Sequence, residues 1–377
     1  MLQSNEEPSQ IHFRSLHYIQ SRLPFFFGDE KFVIVDPYFP NAIKELLLYD
    51  KLEPLHIVMS GGFLATFLML PQWPSNNYKI WVLCRSAKEI LIQLCGLPAD
   101  RVGVIPRYIL FPLAKNRRDL DLNMPLQLVY GGRLSRNKGL LNLLSLTHEL
   151  QNQWGLPVEL SLFGEFSDIL SLGVFKSLMS SSALKKFVKT LIQKQAWVAA
   201  PEIKTNLSGK EWLSQAPENS VFINLSQLSH EDFGVSLAQA QSAGWPAILS
   251  SWGAHWDAQG DNAFVLPHFD LQWGQMPHRA QQKKMAQAVL DGITNQAKLP
   301  FSQLPSPSPK TIIPFEIRQS VAIAEKKYPG ITDAARWGLK NLQRTQVGKR
   351  LFQDYNRIFS SPPSPAASSL QKPHKQL

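Results

Sequence analysis

The chain has 377 residues, of which 44% are hydrophobic and 18% charged, a balance that fits two globular domains and excludes a disordered or fibrous protein. Lysine and arginine outnumber aspartate and glutamate 39 to 29, a net charge of +10, so the favoured partners are anions: nucleotide phosphates, acidic lipid headgroups or nucleic acid. No run of about 18 apolar residues offers a spanning helix, residues 1–8 read without a secretory signal, and the two cysteines, Cys84 and Cys95, sit in apolar surroundings, so a cytoplasmic protein with reduced thiols is expected.

Residues 11–23 read as an amphipathic helix. Short apolar runs at 32–36, 55–59, 79–84 and 102–105 read as strands, with helices at 41–49 and 87–95 between them. Such alternation predicts a parallel sheet covered on both faces. Ser60-Gly61-Gly62 follows the second of these strands and reads as a turn, and His56 reads as a residue of that strand's core. The polar stretch 116–125 reads as an interdomain link.

A second α/β unit opens with a strand at 126–130, followed by Gly131-Gly132-Arg133-Leu134-Ser135-Arg136-Asn137-Lys138-Gly139 and a helix at 140–151. Such a segment is chemically equipped to clamp a diphosphate, because Arg133 can grip two oxygens as a planar fork and Lys138 adds a point charge at a helix start. The same residues would also serve as a solvated basic turn. A strand at 158–163 ends in Gly164-Glu165, and residues 175–195 read as a helix whose lysines, at 176, 185, 186, 189 and 194, form a solvated face. A short strand at 197–198 and a short helix at 210–215 are predicted next.

The run 221–225 reads as a buried strand that empties into the polar residues 226–231. Asp232-Phe233-Gly234 then opens a helix over 234–243, which Gly244 ends and Pro246 separates from a strand at 247–251. In a strand–loop–helix unit of this kind anions bind where the helix directs unpaired N–H groups past the strand's carboxyl end. Beyond it, residues 276–295 read as a basic helix, 299–310 as an exposed Ser-Pro linker, 317–327 and 333–359 as helices, and 361–377 as a disordered tail.

The order Gly132-Arg133 to Lys138-Gly139, then Gly164, then Glu231-Asp232-Phe233-Gly234, with Gly244-Trp245-Pro246 and Trp252-Gly253 after it, resembles the carboxyl-terminal domain of retaining glycosyltransferases of the GT-B fold, specifically the family-four group that uses nucleotide-sugar donors. The resemblance covers roughly residues 126–270. It implies an α/β fold of two Rossmann-like domains facing across a cleft: residues 1–122 as a divergent acceptor domain, 123–300 as the nucleotide-sugar domain, 301–360 as a linker with helices crossing back to the first domain, and 361–377 as the tail. It further implies that Gly132, Arg133 and Lys138 bind the donor diphosphate and that Glu231 is catalytic, contacting the transferred sugar. Asp232, Phe233, Gly234 and Val235 would complete the donor contacts. Gln239 stands where the family carries a second glutamate for the ribose hydroxyls, and its amide can bond a hydroxyl without bringing charge.

The expected activity is sugar transfer from a nucleoside-diphosphate-sugar donor to a glycan or lipid-linked acceptor with retention of configuration. Neither a cofactor nor a metal is expected, since leaving-group charge would be met by Arg133, Lys138 and the helix dipole. A different class stays open, an inactive glycosyltransferase-like binding or regulatory protein, motivated by Gln239 and by an amino-terminal domain shorter than the family's and without its glycine-rich first loop. Nucleic acid is not an expected partner, because no aromatic–basic interleaving occurs. An acidic membrane surface at the inner face would suit the charge equally with plain solubility.

Overall fold

The computed structural model describes residues 10–11, 32–35, 55–59, 78–105, 114, 118, 120–121, 123–167, 180–207, 211–227, 234–258, 263–267, 269, 279–295 and 345–363. The chain divides into two compact units, one formed by Met1–Leu110 with Leu304–Leu377 and the other by Phe111–Gln303.

Among the described residues the first unit carries five parallel strands in the order of the sequence: β1 (Gln10–Ile11), β2 (Phe32–Val35), β3 (Leu55–Met59), β4 (Tyr78–Val82) and β5 (Val102–Val104). Ile11 therefore extends an edge strand and does not open a helix. The rest of the helix expected at 11–23 lies outside the described residues. Helix α1 (Arg85–Gln93) starts at Cys84, whose Sγ accepts from the Ala87 N–H at 3.4 Å, and buries Ile90 and Leu91. Cys95 is also a buried free thiol, and desolvation pushes its pKa up. The last described helix of the chain, α7 (Gln346–Ser360), returns to this unit and packs against α1, with Leu351, Tyr355, Ile358 and Phe359 buried.

The second unit is built on β6 (Leu126–Gly131), β7 (Val158–Phe163), β8 (Glu202–Lys204), β9 (Ser220–Asn224), β10 (Ala247–Leu249) and β11 (Ala263–Val265). Its six described strands are parallel and lie in the order β8-β7-β6-β9-β10-β11, the doubly wound arrangement in which the chain starts at the centre, builds one half, and then returns to build the other. Alternate strand residues point to opposite faces. Leu128, Tyr130, Leu160, Leu162, Val221 and Ile223 meet α2 (Leu140–Asn152), α3 (Ser181–Lys194) and α6 (Arg279–Asn295) on one side. Val129, Phe163, Phe222 and Leu249 meet α4 (Glu211–Gln215), α5 (Val235–Ser242) and a cluster holding Trp212, Trp245 and Trp256 on the other. Strands apolar on both faces are what a sheet covered by helices on both sides requires.

Two sequence expectations change here. The predicted strand at 197–198 is absent: Trp197 donates its indole N–H to the Ile192 carbonyl at 3.0 Å and meets His148 edge-on, so its aromatic bulk serves to close the end of α3. The strand at that place in the order is β8, three residues with two charged side chains at a sheet edge. Helix α3 starts at Ser181, not Phe175, because the Ser180 hydroxyl accepts the Ala183 N–H at 3.2 Å and caps it.

Candidate functional site

Strands β6 and β9 are neighbours, yet the chain leaves β6 for β7 on one side and β9 for β10 on the other. Their exit loops must part, which opens a crevice at the carboxyl ends of the two strands. The glycine-rich segment 131–139 forms one lip, and residues 225–227 together with the start of α5 at Gly234 stand at the other.

On the first lip, Gly132 has φ 138°, and a Cβ there would press on the Tyr130 hydroxyl at 3.2 Å and on the Ser236 hydroxyl of α5 at 3.3 Å. Only glycine lets the two lips come this close. Tyr130 donates its hydroxyl proton to the Arg133 carbonyl at 2.9 Å, which fixes the turn from below. The chain then runs beside the segment after β7: Gly132 N–H bonds the Phe163 carbonyl at 2.9 Å, and Leu134 N–H bonds the Glu165 carbonyl at 2.8 Å. A Cβ on Gly164 would occupy the space of the Gly132 carbonyl oxygen, so these two backbones interlock. A 3-10 turn, Arg136–Lys138, follows, and Gly139 in the left-handed region, φ 79°, leads into α2. Ser135 donates to the Asn137 side chain at 2.6 Å within that turn.

Arg133 sits half-buried between these contacts. Its Nη1 is fully buried and has no hydrogen-bond partner among the described residues. A guanidinium nitrogen withdrawn from water without a partner is costly, and such orphans mark places where a missing group completes the structure. Lys138 is half-buried on the same lip and engaged in contacts of its own.

The second lip is stitched to the first. Gly139 lies against the Leu225 carbonyl, where a Cβ would stand 2.5 Å from the oxygen, and Gln227 N–H reaches the Asn137 carbonyl at 3.4 Å. Asn224 Oδ1 accepts the Ser226 N–H at 2.9 Å, and Ser250 donates its hydroxyl proton to the Ser226 carbonyl at 2.6 Å, so the end of β9 is held rigidly. Gly234, φ 68° and ψ 65°, starts α5, with Val235 half-buried behind it. Both α2 and α5 begin at a left-handed glycine, which brings no side chain to cap the first turn; the Leu140 N–H of α2 is taken by the Ser135 carbonyl at 3.3 Å.

The structure thus brings Gly132, Arg133 and Lys138 onto one lip and Gly234 and Val235 onto the other. Glu231, Asp232 and Phe233 lie outside the described residues, as does the Ser60-Gly61-Gly62 turn. Gln239 stands one turn into α5, almost fully buried, and its Oε1 accepts the indole N–H of Trp212 at 3.0 Å. An indole can only donate, so the carbonyl end of Gln239 faces Trp212 and the amide N–H₂ faces away. Sequence reasoning gave Trp212 no role. The indole lies under the β6 exit, where a Cβ on Gly131 would stand 2.8 Å from the ring, and packs edge-on against Trp245 at 5.6 Å. Glycine at 131 in front of a lone tryptophan 81 positions later is a signal only pairing β6 with β9 makes readable. Among the described residues no group of three or more His, Cys, Asp or Glu is placed to hold a metal ion.

No family model matches the chain, and no curated protein matches it. Solved structures do. The pneumococcal O-GlcNAc transferase GtfA in complex with UDP and GlcNAc is 10% identical, with 87% of this chain and 56% of that chain covered at a TM-score of 0.47. TarM of S. aureus, in complex with fondaparinux, alpha-GlcNAc-glycerol and UDP, is 10% identical, with 88% and 56% covered at 0.44. The E. coli trehalose-6-phosphate structure bound with UDP-2-fluoro glucose is 10% identical, with 92% and 80% covered at 0.45. The chain spans 56% of the length of the first two. At TM-scores under 0.5 nothing about this chain's chemistry follows from these neighbours.

Proposed function

We propose that the chain is a GT-B glycosyltransferase of the family-four kind, which moves a sugar from a nucleoside-diphosphate-sugar donor to a glycan or lipid-linked acceptor with retention of configuration. The observation that carries this reading is the buried Nη1 of Arg133, without a hydrogen-bond partner among the described residues, at the switch point between β6 and β9 and flanked by the glycine-led starts of α2 and α5. A diphosphate supplies the two anionic groups that such a cation and such N–H groups call for.

In the transfer, the bond from the anomeric carbon to the diphosphate oxygen breaks and a bond from that carbon to the acceptor's hydroxyl oxygen forms. The hydroxyl proton passes to the departing diphosphate oxygen. Negative charge builds on that oxygen as the bond stretches, and a fixed guanidinium together with Lys138 and the α2 and α5 N–H groups meets it without reorganising, with no metal or cofactor needed. Glu231 bonds a hydroxyl of the transferred sugar and orients it so that the acceptor enters on the leaving-group face. Gln239 presents its amide N–H₂ to a ribose oxygen.

Calorimetry with UDP and GDP, paired with an assay of donor hydrolysis and transfer, tests the reading. Arg133→Ala is expected to weaken binding of the nucleoside diphosphate by about 1.5–3 kcal/mol. Glu231→Gln is expected to lower turnover by roughly one to several orders of magnitude while UDP or GDP binds as before. Binding without hydrolysis or transfer on any acceptor would assign the protein to the inactive, donor-binding class instead.

A further inference from the structure

The described residues of this chain leave four large hydrophobic side chains exposed: Met124 at 54%, Trp154 at 37%, Phe187 at 39% and Val198 at 74%. Three of the four lie on α3 or on the two segments at its carboxyl end. Phe187 is on α3, and Trp154 and Val198 are on the two segments pinned together at its carboxyl end, where Asn152 donates to the Ala196 carbonyl at 3.0 Å and Gln151 to the Ala199 carbonyl at 2.9 Å. The same helix carries Lys185, Lys186, Lys189 and Lys194, all exposed, and no carboxylate anywhere between Ser181 and Lys194. Its inward stripe, Leu184 and Val188, is spent in the core, so the lysines cannot turn inward. On β8, the strand that follows it, Glu202 is already paired with Lys204 at 3.2 Å.

We propose that the outer face of α3, with Trp154 and Val198 at its end, docks the second unit onto an acidic lipid surface. Solubility alone explains the lysines. It does not explain why an exposed phenylalanine, tryptophan and valine gather beside them, since exposed apolar groups beside a basic patch lower solubility. A bilayer interface rewards both at once: anionic headgroups attract the lysines while aromatic and aliphatic side chains enter the headgroup boundary. A nucleic-acid backbone would use the lysines and leave the valine without a partner.

The face lies on the crossover from β7 to β8 and on the turn between α2 and β7 that carries Trp154, outside the switch point between β6 and β9, so docking and donor binding are separable. The proposal stands whether or not the donor site is read correctly. The full chain is tested by sedimentation with vesicles of phosphatidylcholine alone and of phosphatidylcholine containing phosphatidylglycerol, at low and raised salt. The wild type is expected to bind the acidic vesicles and not the neutral ones, less so as salt rises. At about 1 kcal/mol per interfacial lysine, the triple variant Lys185→Gln/Lys186→Gln/Lys189→Gln is expected to lose about a hundredfold in vesicle affinity. Phe187→Ser is expected to weaken the same binding in a way that salt does not mimic. Unchanged thermal unfolding and UDP calorimetry in both variants confirm that only the surface was altered. Equal vesicle binding by the wild type and the triple variant, or none by the wild type, overturns the proposal. So does retention of duplex or single-stranded nucleic acid that the triple variant abolishes and Phe187→Ser leaves intact, because that pattern describes a polyanion site.

Discussion

Arg133 carries opposite consequences for stability and for binding. The buried Nη1, without a hydrogen-bond partner among the described residues, opposes folding, whereas under the proposed function a bound diphosphate would turn the same group into the strongest contact of the crevice. Arg133→Leu, which keeps bulk and removes the charge, is therefore expected to unfold at the wild-type temperature or above it while losing the thermal shift that UDP or GDP gives the wild type. A lower melting temperature without ligand would mean that the arginine serves the fold. Trp212 is the second residue whose effect can be separated. Trp212→Phe keeps a ring beside Gly131 and removes the N–H that holds the Gln239 carbonyl. If Gln239 meets the ribose, UDP should bind about 1 kcal/mol more weakly while pyrophosphate binds as before. An equal loss for both ligands would trace the effect to displacement of the β6 exit loop.

Elements with a dense apolar run were legible. β3 and β7 are where the sequence places them, because Ile57, Val58 and Met59 in the one and Leu160, Leu162 and Phe163 in the other are buried and leave a strong hydrophobic signal. The crevice was legible through glycine: positions 132, 139, 164 and 234 all hold positive φ, and each follows a strand or precedes a helix. What escaped lacks such signals. β8 is Glu202-Ile203-Lys204, too short and too charged to show a period, and it exists because β7 offers it an edge. The Trp212–Gln239 pair joins residues 27 positions apart and can be seen only once the strands are laid side by side. Helix α7 was expected as part of a longer helical stretch, and its apolar stripe identifies its role. Phe359 is fully buried and stacks on Tyr355 with centroids 5.0 Å apart. Phe359→Ala is expected to cost about 3–5 kcal/mol in the stability of the first unit. Denaturant unfolding followed by intrinsic fluorescence, with nucleotide present, should show the loss in one transition and leave the ligand-stabilised one in place.

The two units differ in how the chain builds them. The second is a single continuous segment, Phe111–Gln303, with a core on each face of its sheet and the whole crevice between β6 and β9. Expressed alone, residues 111–303 are expected to unfold cooperatively on heating and to bind UDP or GDP within a few fold of the full chain. A segment that stays unfolded would show that the second unit depends on the first. The segment 111–121 belongs in that fragment, since Ala114 and Arg118 N–H groups bond the Gln241 and Gly244 carbonyls at the end of α5 and Asp121 is bonded by Asn219.

The first unit is interrupted, and the return of α7 to α1 sets an order of events on the ribosome. Its five strands and α1 are complete by residue 105, whereas the helix that covers α1 starts at Gln346. At a synthesis rate of about 5–20 residues per second, the side of α1 that α7 covers waits roughly 10–50 s for that helix after it emerges. In that interval the continuous unit can fold and close its own core. The nascent chain thus carries a finished domain behind an unfinished one, and the late arrival of its carboxyl end, not the assembly of the crevice, governs how long it remains open to chaperones and proteases.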